Sequence, residues 1–102
     1  MTPNAPTRTI AAVTLVTAPG CHYCDDAHTY LRSLIDDGAP IELGVMEATS
    51  EEGRSLLGVH RPAMNPLVLV DGAYFSAGRL PRRKLHALLQ RRAAGAEAAN
   101  HG

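Results

Sequence analysis

The chain has no tryptophan, only four aromatic residues, two cysteines and no excess of either charge, with ten basic side chains against ten acidic ones. Each shortage excludes something. Neutral charge and so few aromatic rings argue against a nucleic-acid binder, which needs a basic face and stacking platforms. Two cysteines are too few for a small disulfide scaffold, which uses several bridges in an oxidising compartment. No apolar run approaches the length of a membrane span. The opening MTPNAPTRTIAAVTLVT has two prolines, one arginine and no recognisable signal peptide. The expectation is a cytoplasmic protein with no membrane or nucleic-acid partner. At 102 residues the chain fits one domain. Its core spans about 10–92, and the tails 1–9 and 93–102 read as flexible.

What the chain does have is concentrated in APGCHYCDD, residues 18–26, where both cysteines stand two residues apart just beyond an apolar run. Val13–Thr17 is β-branched and apolar without alternation, as in a strand covered on both faces. Pro19 and Gly20 break it. From His22 a helix follows, with Ala27, Leu31, Leu34 and Ile35 on one stripe, ended by Gly38 and Pro40. The cysteines thus sit at a helix N-terminus. Ile41–Met46 reads as a second strand, parallel to the first. Thr49 and Glu52 can form a capping box for a short helix burying Leu56 and Leu57, with Gly58 as its stop. Leu67–Val70 and Ala73–Phe75, joined by Asp71-Gly72, read as a hairpin. A last helix from about Leu80 carries Leu85, Leu88 and Leu89, with Pro81 in its first turn. The basic run Arg79–Lys84 reads as the solvated start of that helix.

On the residues alone, three uses of the cysteine pair stay open. They can form a structural disulfide, a redox couple, or, with His28, part of a zinc site, though the other histidines stand in no compact pattern with these three. A helix N-terminus lowers the pKa of a cysteine placed there, and Cys21 is in that position.

The order β-α-β-α-β-β-α, with CxxC between the first strand and the first helix, resembles the thioredoxin fold over residues Thr14 to Leu89, most nearly its glutaredoxin-sized members. Met64-Asn65-Pro66 just before the hairpin is a further match, at the place where that superfamily carries a cis-proline. The resemblance implies an α/β fold with a mixed four-stranded sheet and helices on both faces. It implies a thiol-disulfide oxidoreductase in which Cys21 is the nucleophile and Cys24 resolves the mixed disulfide. His22 and Tyr23 tune the couple, and Met64, Asn65, cis Pro66 and Gly78 contact substrate. No tightly bound cofactor or metal is implied, although some glutaredoxins bridge an iron-sulfur cluster. The partners would be disulfide-bearing proteins and an electron donor, either glutathione or a flavoprotein thiol reductase. A non-catalytic binding or redox-sensing module, holding a metal or cluster through the cysteines, is the alternative.

The chain also departs from these families. Gly20 and Leu15 stand where thioredoxins carry a tryptophan and an acidic residue. Ala18 replaces the lysine common in glutaredoxins, and Ser76-Ala77-Gly78-Arg79-Leu80 lacks their Gly-Gly and aspartate. These changes argue against specific glutathione use, unless Arg79 or Arg82 replaces the lysine.

Overall fold

A computed structural model describes the backbone of residues 10–101 and the side chains of residues 10–94. Seven elements follow one another: β1 (Ala11–Thr17), α1 (His22–Asp36), β2 (Ile41–Glu47), α2 (Glu51–His60), β3 (Leu67–Val70), β4 (Ala73–Ala77) and α3 (Arg82–His101). The strands form one sheet in the order β2-β1-β3-β4. β1 and β2 are parallel, with Ala11 beside Ile41. β3 runs antiparallel to both β1 and β4, so the sheet is mixed and the fold is α/β.

Helices cover both faces of the sheet. Ala11, Val13 and Leu15 of β1 pack with Ala27 and Leu31 of α1 and Leu85 of α3 on one face. Val16 joins Leu67 and Leu69 on the other, against Leu56 and Leu57 of α2. β3 is therefore apolar and buried throughout, and β1, covered on both faces, has only Thr14 and Thr17 as polar residues. β1 begins two residues earlier than its apolar pattern suggests. The Ala11 N–H donates to the Pro40 carbonyl and the Ala12 N–H to the Asp71 carboxylate, which extend pairing beyond the apolar run.

Asp71 and Gly72 both adopt positive φ, 51° and 83°, as a two-residue type I′ hairpin turn requires. Asp71 also donates its N–H to the Ala12 carbonyl, and its carboxylate pairs with Arg92 at 2.6 Å. Arg92 in turn donates to the Ile10 carbonyl, tying the hairpin tip, the start of β1 and α3 together. A bulge in β4 follows: Tyr74 lies opposite Leu69 and Ser76 opposite Val68, leaving Phe75 as the extra residue. Phe75 and Ser76 are consequently both buried, which simple alternation would prevent.

Three local expectations are corrected. Ser50, not Thr49, caps α2, its hydroxyl accepting the Gly53 N–H at 2.9 Å and donating to the Glu47 carbonyl. With Gly53 at the third helical position, no Glu52 capping box forms. A Cβ on Gly53 would fall 2.0 Å from the Glu47 carbonyl oxygen, so the close approach of α2 to the end of β2 selects the register. Nor does α2 stop at Gly58. It ends at Arg61, left-handed at φ 48°, just before Pro62, which disfavours right-handed helix in the preceding residue. α3 starts at Arg82, with the Leu85 N–H donating to the Pro81 carbonyl. It is helical through His101, past its apolar stripe, over alanine-rich sequence of high intrinsic helix propensity. The tail expected at 1–9 lies outside the described residues, as does residue 102.

Candidate functional site

The site is built where β1 hands over to α1. Gly20, at φ 67°, turns the chain after Pro19, and Cys21 takes the N-cap position with extended backbone. Its Sγ accepts the Cys24 N–H at 3.1 Å, so sulfur does the work that a serine or aspartate oxygen does at most helix starts. The Cys21 carbonyl accepts the Asp25 N–H, the first backbone bond of the helix. Helical phase then separates the two thiols. Cys24 shares the inward face with Ala27 and Leu31 and is 3% exposed, whereas Cys21 is half-buried and the intervening His22 and Tyr23 are exposed. The two cysteines are joined in a disulfide, with Cα atoms 5.2 Å apart, within the range this bond tolerates.

A second wall comes from the end of the hairpin. The antiparallel register sets Leu67 beside Val16, so Pro66 stands at the end of β1 from which the cysteine turn departs. The Asn65-Pro66 peptide is cis, as the sequence leads one to expect. Pro66 itself is fully buried, and the surface offered outward there is Met64, 53% exposed, and Asn65. Gly78, at φ 87°, donates its N–H to the Pro66 carbonyl at 3.0 Å. A Cβ on Gly78 would lie 3.2 Å from the Met64 sulfur. One residue further on, the Arg79 guanidinium lies 5.9 Å from the centre of the Tyr23 ring. Met64 and Pro66 thus meet Gly78, and its neighbour Arg79 meets Tyr23, the residue before Cys24 in sequence.

Beyond Tyr23 opens a cleft of about 840 Å³, with His22, Tyr23 and Asp26 of α1 on one side and the segment Arg79–Lys84 on the other. The basic run is therefore the wall of a concavity that reaches the two residues between the cysteines, as well as the start of a helix. Residue order along the chain does not show this concavity. A signal was present, four cations within six residues of a chain with no net charge. Arg82 bonds Asp26 at 3.1 Å and lies 4.2 Å over the Tyr30 ring, so the one carboxylate of the cleft already has a cation beside it. Lys84 donates to the Phe75 carbonyl at 2.6 Å.

The remaining histidines whose side chains are described do not join the site. His28 is exposed, His86 bonds the Tyr30 hydroxyl, and His60 lies against Tyr74. Among the described residues no group of three or more His, Cys, Asp or Glu side chains is placed to hold a metal ion, so the Cys21, Cys24 and His28 spacing does not close into a ligand set. No helix among the described residues is long and apolar enough to cross a membrane. No protein-family model matches this chain and no curated protein matches it, leaving the geometry of the cysteine turn and its cleft as the ground for assigning chemistry.

Proposed function

We propose that this protein is a thiol-disulfide oxidoreductase of the glutaredoxin-like kind, working through the Cys21-Cys24 couple in a reducing compartment such as the cytoplasm. One observation carries the reading: a half-buried sulfur caps a helix and accepts a backbone N–H, while the second sulfur, one turn on, is buried behind it. The element order, the mixed sheet and the helices on both faces support the resemblance to the thioredoxin fold.

The reduced Cys21 thiolate is stabilised by the helix terminus and by the Cys24 N–H. It attacks one sulfur of a substrate disulfide, forming a mixed disulfide and expelling the other substrate sulfur as a thiolate. Cys24, deprotonated, then attacks the Cys21 sulfur and expels the second substrate thiolate. Two electrons pass to the substrate, two protons complete its thiols, and the Cys21-Cys24 disulfide remains. An external thiol reductant returns the pair to the dithiol, and with Ala18 in place of a lysine we assign that task to a flavoprotein thiol reductase in preference to glutathione. His22 and Tyr23 set the electrostatic surroundings of the couple. Met64 and Asn65 receive the substrate backbone, with Pro66 and Gly78 holding them in place.

The test is reduction of bis(2-hydroxyethyl) disulfide, together with thiol mapping. Turnover should vanish in Cys21→Ser, iodoacetamide should label Cys21 before Cys24 in the reduced protein, and Cys24→Ser should accumulate mixed disulfides visible by mass spectrometry. Absence of turnover in the wild type, with the disulfide reversibly formed, would instead identify a binding or redox-sensing module.

A further inference from the structure

The wall of the cleft carries more positive charge than the fold uses. Its lining holds four cations, Arg79, Arg82, Arg83 and Lys84, against one carboxylate, Asp26, in a chain with no net charge. Arg82 is occupied by Asp26 and the Tyr30 ring, and Lys84 by the Phe75 carbonyl and ring. Arg79 and Arg83 have no carboxylate partner among the described residues. Both are exposed, and Arg79 lies against the ring of the residue that immediately precedes Cys24. A concave surface of one charge sign focuses its field and raises the local concentration of opposite charges.

We propose that this cleft binds an acidic segment of a protein substrate, carboxylates flanking the target cysteine pairing with Arg79 and Arg83 while its disulfide meets Cys21. The inference rests on the oxidoreductase reading for its redox step, and on the cleft alone for its binding step. Three observations select this occupant. The charge asks for an anion. The adjacent sulfur pair asks for a ligand that carries a disulfide, which phosphates and nucleic acids lack. The cleft, at about 840 Å³, lies in the upper part of the range of small-ligand pockets and has room for several residues of extended chain. Arginine suits the task, because its planar fork grips a carboxylate through two parallel bonds. The exposed Met64 lies against Gly78, the residue before Arg79, and offers an apolar surface next to the cationic wall.

The binding step is tested by titration calorimetry on the oxidised protein, with a cysteine-free octapeptide rich in glutamate and its lysine counterpart. Exposed ion pairs are each worth up to about fivefold in affinity, so two should favour the acidic peptide by about tenfold at low salt. High salt should erase most of that difference. Arg79→Gln with Arg83→Gln should remove it, and Arg79→Lys with Arg83→Lys should restore part of it, which a merely misfolded variant would not do. The redox step is read from the reduced wild type acting on two disulfide-looped peptides with acidic or basic flanks, the acidic one showing the higher kcat/KM. Equal binding of the two octapeptides overturns the proposal. So does oxidised glutathione binding as tightly as the acidic octapeptide, which would make the cleft a small-molecule site. A tenfold binding preference in a protein that reduces no disulfide leaves the acidic-segment site standing and removes the oxidoreductase reading.

Discussion

Reducing the Cys21-Cys24 bond should leave the protein folded, and the structure sets the size of the effect. The bond closes a loop running only from residue 21 to residue 24. In the chain-entropy account, restraining so short a loop in the unfolded ensemble stabilises the native state by about 2 kcal/mol. The Cys24 N–H already donates to the Cys21 sulfur in the oxidised state, so that contact is common to both forms. A thiolate at the N-terminus of α1 is favourable there by about 0.3–1 kcal/mol. The net loss is then about 1–1.7 kcal/mol, which for a domain of this size lowers Tm by about 5–15 °C. Thermal unfolding followed by circular dichroism, with and without excess phosphine reductant, measures the difference. A fall beyond about 25 °C, or loss of the folded spectrum at room temperature, would show a staple on which the fold depends. The idea of a couple that opens and closes in a standing fold would then be refuted.

Other outcomes follow from particular contacts. Gly53→Ala sets a methyl group against the Glu47 carbonyl oxygen and should destabilise the protein by about 3 kcal/mol or more in urea unfolding; a loss under about 0.5 kcal/mol would mean that α2 shifts freely on the sheet. Asp71→Ala removes the Ala12 and Arg92 contacts and puts alanine at φ 51°, a loss of about 1–3 kcal/mol. Asp71→Asn, which keeps an acceptor oxygen and tolerates that φ, should lose less than about 1 kcal/mol, and equal losses would contradict this account of the turn. With glutathione as donor, turnover should be poor and Ala18→Lys should raise kcat/KM by about tenfold; efficient wild-type turnover that the lysine leaves unchanged would reverse the donor assignment.

The elements that were legible in the sequence are those whose causes are local. Asp71-Gly72 declares its turn because both residues tolerate positive φ, and Pro19-Gly20 marks the end of β1 without help from distant residues. The cysteine turn was placed by its neighbours in sequence, strand before and helix after. Two of the errors have non-local causes, and the end of α2 has a local one. Thr49 and Ser50 are equally fit to cap α2, and the choice is made by the fit of Gly53 against Glu47, a contact only the folded chain has. Gly58 is the stronger punctuation by residue type, but Pro62 decides the helix end through the backbone of Arg61. The basic run reads as a solvated helix start because sequence reports charge and not concavity. Its facing partner, Tyr23, lies 56 positions earlier than Arg79, and only the packing of the two helix starts joins them.

The phase of α1 has a consequence for how such a protein can change over time. The residues that hold the helix to the sheet, Cys24, Ala27 and Leu31, point one way, and His22, Tyr23 and Asp26 point the other. The surroundings of the sulfurs and the anchoring of the helix are therefore written on different faces of the same fifteen-residue rod, with Cys24 on the anchoring face. Substitutions at 22, 23 and 26 explore new chemical settings while the scaffold behind them stays as it was. A lineage, or an engineer, holding this backbone constant has a small set of outward positions at which to vary what the sulfurs do and whom they meet.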